Sequence, residues 1–351
     1  SSDLSYARYW HGHAVIISWL VLIFGLPIAR SLFFMLLILS LCFLYIRITS
    51  LISNSIKYPK IVAFSSLAFY FFTSGLMDIQ SSLTHTLSEI SIIWIAIASI
   101  NLLTTSSKLK IIIGGYFLGG IYVTTSYMLN PQSIPAAILI WSLIPICLNN
   151  QDYMSRFIKN GVTLIFSITL GFVGLWISKW LIIDISSNFD IWGEVKNQAF
   201  HRASHDPNSL SAGVNKHLEM FNDFPTYLRA IFANFAALII KFYDPRYSNL
   251  ILLLFYILSL VIFLVLFLNK FYKYKNNPVQ MSKPNLIMLK STIKIWFVSL
   301  CLVLAWFVFL TQHSFDHSTY TYRSLAIVIS GLPLLAAPII TSNLEFSRIK
   351  N

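Results

Sequence analysis

The chain has 351 residues, 56% of them hydrophobic and only 11% charged, with a formal net charge of +12 and a mean hydropathy of +0.71. A soluble domain carries roughly 25% charged residues and needs them to cover its surface, so a water-soluble globular fold is excluded and lipid is the fitting solvent. The positive excess lies between apolar runs, as in membrane proteins that use it for orientation. It lacks the clustered, aromatic-interleaved form of a nucleic-acid surface.

The sequence begins at Ser1 without a signal-peptide pattern, from which processing of the chain, or a segment upstream of it, is expected. A membrane span needs about 20 mostly apolar residues. Segments at 31–47, 61–77, 90–106, 111–129, 134–149, 161–183, 249–269, 294–311 and 324–341 approach or meet that length. Two further stretches, 13–29 and 227–242, are short and interrupted, the first closed by Pro27 and Arg30, the second bracketed by Arg229 and Lys241.

The basic residues decide how these segments cross. With the nine clear segments spanning, one face collects Arg47, Lys57, Lys60, Lys108, Lys110, Arg156, Lys159, Lys270, Lys273, Lys275, Lys283, Lys290, Lys294, Arg348 and Lys350, fifteen of the 25 Lys and Arg. That face is assigned to the cytoplasm. A crossing at 227–242 would send the lysine-rich 270–294 loop outside, so 13–29 and 227–242 are expected to be interfacial or re-entrant helices on the outer face. The expected fold is an all-α polytopic membrane bundle of about 9 to 11 transmembrane or re-entrant helices. Residues 1–183 form its N-terminal helices, 184–248 an extracytoplasmic loop with an interfacial helix, and 249–351 its C-terminal helices; 270–290 reads as a cytoplasmic linker.

This topology puts all eight histidines outside, with eleven of the thirteen acids; Asp152 and Glu345 are the two inside. The histidines played no part in choosing the topology, so their one-sidedness locates the polar chemistry on the outer face. Cys42, Cys147 and Cys301 lie in apolar runs without a disulfide or metal-knuckle pattern and are expected to be packing residues.

Four outer runs carry candidate site residues. At the N-terminus, Asp3 precedes Tyr6, Arg8, Tyr9, Trp10, His11 and His13, an aromatic interfacial run. Polyprenyl-linked sugar transfer requires a carboxylate within reach of the acceptor hydroxyl as it loses its proton. It also requires Arg, His or a metal to receive the charge developing on the lipid phosphate. Asp3 is the base candidate, against the alternative of a frayed terminus. In the second run Asp78 is a candidate lining residue, whereas Glu89, beyond His85, fits a simple cap of the next helix.

The third run, His201-Arg202-Ala203-Ser204-His205-Asp206, spaces two histidines four apart, which invites a zinc hypothesis. It has no His-Glu-x-x-His and no local cysteine, so a substrate or phosphate contact from His201, Arg202 or His205 is the preferred reading and no metal ligand is assigned. The fourth run, 312–323, carries His313, Asp316, His317, Tyr322 and Arg323 between two apolar spans. Polar groups that close to hydrocarbon are costly. His313 and His317 share a face if the run is helical, and Arg323 offers a bidentate grip on phosphate or pyrophosphate. The alternative is a solvated loop whose arginine snorkels to headgroups.

An early outer acidic residue, juxtamembrane helices, a large outer loop, the Arg8–His13 run and the His313–Arg323 run together resemble the GT-C superfamily of integral-membrane glycosyltransferases, in a poorly characterised bacterial branch. The resemblance is architectural over most of the chain and motif-like at those two runs. Asp3 stands without the paired acid of the family, and the family's first helix would lie upstream of Ser1. The resemblance implies a multi-pass protein of the bacterial cytoplasmic membrane with its site facing outwards. It implies a polyprenyl-phosphate-linked sugar donor, an envelope glycan or glycolipid acceptor, Asp3 as base, and Arg323 with its neighbouring histidines facing the lipid phosphate; a divalent metal stays open. Two other classes remain: a transporter or lipid flippase, whose mid-membrane charges and matched helix breaks are not evident here, and a membrane O-acyltransferase with a histidine base.

Overall fold

The computed structural model describes residues 12–76, 82–105, 107–126, 130–149, 154–203, 225–243 and 283–341. Among these residues the fold is all-α, without a strand. In chain order the helices are α1 (Gly12–Phe24), α2 (Leu26–Ile52), α3 (Pro59–Thr73), α4 (Leu83–Thr105), α5 (Lys108–Thr125), α6 (Ser133–Asn149), α7 (Met154–Ser186), α8 (Ile191–Ala203), α9 (Thr226–Tyr243) and α10 (Lys283–Phe309). The short α11 (Thr311–Asp316) and α12 (Ser318–Thr321) lead into α13 (Arg323–Ser330) and α14 (Leu332–Thr341).

Among the described residues five helical stretches are long and apolar enough to cross a bilayer: Leu26–Ile52, Leu83–Thr105, Ser155–Ser186, Ile287–Phe309 and Arg323–Ile340. The segments expected at 61–77 and 134–149 are shorter apolar helices, α3 and α6, and the one at 111–129 is α5. The segment at 249–269 and most of the 270–290 linker lie outside the described residues. Helices of this kind satisfy every backbone group internally, which lipid demands. Their hydroxyls follow suit: Ser40, Ser91 and Ser99 each donate to the carbonyl four residues back.

Two local expectations are corrected. Pro27 does not close the first apolar stretch but opens the second: Gly25, at φ 76°, breaks the chain between α1 and α2, and the proline sits in the first turn of α2 where it sacrifices no bond. Cys147 is buried, but Cys42 and Cys301 are exposed, turned outwards from their helices rather than packed inside.

The interior centres on α4 and α6, whose residues form one continuous cluster with α2, α3, α13 and α14. Across α6 the residues Ile138–Leu143 widen into a π-turn, a distortion often found at functional sites. It carries the fully buried Trp141. Helices α5 and α7 cross so closely that a Cβ at Gly119 or Gly171 would collide with the opposite backbone, the close approach that small residues permit between membrane helices.

Candidate functional site

The polar interior begins where α3 ends. Gly75, at φ 65°, turns the chain away from the helix, and Ser74 is left at the C-cap with an outward carbonyl. Carbonyls at a helix end have no intrahelical partner and carry partial negative charge. Arg323 Nε donates to the Ser74 carbonyl at 3.1 Å and Tyr322 Oη donates to it at 2.8 Å. The same guanidinium places Nη1 3.9 Å from Glu89 Oε1, with both side chains nearly inaccessible. Tyr70, from α3, donates its hydroxyl to the other carboxylate oxygen of Glu89.

Glu89 is thus no helix cap. It lies well inside α4, 2% exposed, between Tyr70 and Arg323. Arg323 is 5% exposed, so the snorkelling alternative is corrected as well. The arginine is anchored inwards, on a helix end and a carboxylate. Beneath this group Trp141 packs edge-on against Tyr70, with centroids 4.7 Å apart, and donates to Ser330 Oγ at 2.9 Å. Ser66 Oγ closes the layer by donating to the Ser330 carbonyl at 2.6 Å.

Residues 311–323 are helical turns rather than a solvated loop, and most of their described side chains are buried. His313 and His317 share a face as their spacing predicts, with ring centroids 4.8 Å apart. Tyr320 lies between two partners: His85 stacks on it at 4.4 Å, and the Arg323 guanidinium carbon is 5.2 Å from the ring centroid. The run is pinned from α9 by Asn234, which donates to the Ser314 carbonyl at 3.0 Å and accepts from Thr321 Oγ1 at 2.6 Å. Asn130, just before α6, donates to the Tyr320 carbonyl at 2.8 Å and accepts from Gln132.

Five buried side-chain atoms around this run have no hydrogen-bond partner among the described residues: Ser74 Oγ, His85 Nε2, Gln132 Oε1, Ser133 Oγ and Ser314 Oγ. Burying such atoms unmatched costs roughly 1–3 kcal/mol each; these five lie around the run that carries Arg323 and the two histidines, and further unmatched atoms, among them Arg47 Nε, Thr49 Oγ1 and Trp306 Nε1, are spread over other described helices.

Of the candidates read from the sequence, His313, His317, Tyr322 and Arg323 come together here. His13 is buried in α1, and Arg202 lines a groove between α7 and α8. His201 belongs to α8 and Asp316 ends α11. Asp3, Arg8, His11, Asp78 and His205 lie outside the described residues. The structure adds Glu89, Tyr70, Tyr320, Asn130, Asn234 and His85, which no motif in the sequence marks as site residues. Among the described residues no group of three or more His, Cys, Asp or Glu is placed to hold a metal ion. No family model matches this chain, and no curated protein and no solved structure matches it.

Proposed function

We propose that the chain is a multi-pass membrane glycosyltransferase that moves a sugar from a polyprenyl-phosphate donor to a cell-envelope glycan or lipid acceptor at the outer face of a bacterial cytoplasmic membrane. The observation that supports it best is the set of five unmatched buried polar atoms beside Arg323, His85, His313 and His317. A ligand rich in hydroxyls and carrying phosphate meets both needs at once: its oxygens partner the orphaned groups, and its negative charge faces the Arg323 guanidinium.

In this reading the acceptor oxygen attacks the anomeric carbon as the bond from that carbon to the phosphate oxygen breaks. The acceptor proton passes to a carboxylate, for which Asp3 remains the candidate, and the departing phosphate carries the electron pair towards Arg323 and the imidazoles. Glu89 and Tyr70 act through Arg323 by holding its guanidinium in place, with or without a divalent metal at the phosphate.

The test is transfer by the purified chain in lipid nanodiscs, given a panel of synthetic polyprenyl-phosphate sugars and envelope glycolipid acceptors, with released polyprenyl phosphate measured by mass spectrometry. Release that falls at least tenfold in His317→Ala and Arg323→Lys is the expected result. No release from any donor, together with unchanged envelope glycans in cells carrying Asp3→Asn, overturns the reading.

A second reading draws on a different observation. An ion pair buried between helices long and apolar enough to span, α4 and the Arg323–Ile340 stretch, is also the equipment of a transporter. Substrate flux into proteoliposomes that Glu89→Gln abolishes, without any sugar transfer, favours it.

A further inference from the structure

Helix α7 continues as a ladder of aromatic rings towards α8. Phe172 stacks on Trp176 with centroids 6.1 Å apart, Trp176 meets Trp180 edge-on at 5.1 Å, and Trp180 meets Trp192 of α8 edge-on at 6.0 Å. Trp176, Trp180, Val195, Gln198, Ala199, Arg202 and Leu310 line a groove between these helices, bounded at one side by the start of α11.

We infer that this groove seats an anionic membrane phospholipid, an acyl chain lying on Trp176 and Trp180 and the phosphate held by Arg202 and Gln198. Three features commit it to that occupant. The lining is apolar and aromatic apart from two side chains, so a sugar would leave its hydroxyls unmatched whereas an acyl chain would not. Those two side chains, one helical turn apart on α8, both offer N–H donors, and the single charge among the lining groups is positive. Two acids stand at the start of α8, and neither lines the groove: Asp190 accepts from the Gly193 N–H at 2.8 Å, and Glu194 lies a turn before Gln198.

The third feature is continuity with lipid. Only 28% of the apolar window of α7 is buried, and on the groove faces Val173, one turn before Trp176, and Trp192, one turn before Val195, are each 40% exposed. A groove opening from such a surface fills from the bilayer. The preference for an anionic over a zwitterionic lipid follows from Arg202, because a choline headgroup neutralises its own phosphate. This inference stands apart from the glycosyl-transfer reading and survives its failure.

The experiment titrates the delipidated full-length chain in detergent with phosphatidylglycerol and with phosphatidylcholine of identical acyl chains, counting bound lipid by native mass spectrometry. The wild type is expected to bind phosphatidylglycerol roughly fivefold more tightly. Arg202→Gln removes that preference, Trp180→Ala weakens both lipids together, and Lys196→Gln, at an exposed position of the same helix, changes neither. A folded Arg202→Gln protein that keeps the full preference overturns the assignment. So does a polyprenyl monophosphate that occupies the site and that excess phosphatidylglycerol does not displace. Should Arg202→Gln unfold, Arg202→Lys decides: it keeps the charge, so equal binding of both lipids by folded Arg202→Lys also overturns it.

Discussion

The two ends of the helical bundle handle polar groups in opposite ways. At one end Lys57, Lys60, Lys108, Lys110, Arg156 and Lys159 are all exposed, and the side-chain bonds are sparse: Arg47 to Asn101, and Ser55 to Asn149 at 3.3 Å. At the other, Glu89, Arg323, Tyr70, Tyr322, Asn234 and Thr321 are almost wholly inaccessible and bonded across five helices and their connections. Exposed lysines retain their hydration and serve orientation at little cost. Buried charge must be matched by partners or it destabilises the fold. The lesson is that charge count marks the first end, while desolvation marks the second.

The comparison breaks most visibly at Arg323. Arg323→Met leaves the Glu89 carboxylate buried without its counter-charge, and loss of about 3–5 kcal/mol of stability is expected. The measurement is unfolding of the purified protein in mixed micelles against a denaturing detergent. Replacing both partners, Glu89→Gln with Arg323→Met, removes the uncompensated charge, so most of that stability returns while function stays lost. A double variant as unstable as the single one would mean that Arg323 acts mainly through the Ser74 carbonyl at the end of α3.

Tyr70→Phe deletes one hydroxyl and leaves the ring against Trp141. Its hydrogen bond ends on a carboxylate, so the expected loss is about 1.5–3 kcal/mol, measured by the same unfolding assay. Ser66→Ala, which removes a neutral bond to the Ser330 carbonyl one layer deeper, should lose about 1 kcal/mol. That ranking separates charged from neutral burial at the same end.

Much of the bundle is legible in the amino-acid order because lipid imposes a simple demand on length and apolarity; α2, α4, α7, α10 and α13–α14 all fall where that demand puts them. The His313–Arg323 run is legible for the converse reason, a polar stretch wedged between two spans. Glu89 was not. Acids at the start of an apolar stretch are ordinarily caps, and nothing near it in the chain announces Arg323, more than two hundred residues away. Asn234 and Asn130 hide in the same way, since their partners lie 80 and 190 residues off. Pro27 is ambiguous in the sequence because a proline closes one helix and opens another equally well, and only the φ of Gly25 shows which.

The smallest expected effect lies at the opposite end. Arg47, only partly buried, bonds the Asn101 side chain, and water can replace that partner when it is removed. Arg47→Gln should therefore change stability by less than about 1 kcal/mol in the same unfolding assay, as exposed polar pairs do. Its sensitive readout is orientation, because one positive charge fewer weakens the charge bias that basic residues at this end give the chain. Labelling of Lys57→Cys in the Arg47→Gln protein should show a small inverted fraction that the Arg47 protein lacks. A loss from Arg47→Gln as large as that from Arg323→Met would erase the distinction between the two ends, because it would show that water does not reach the exposed one.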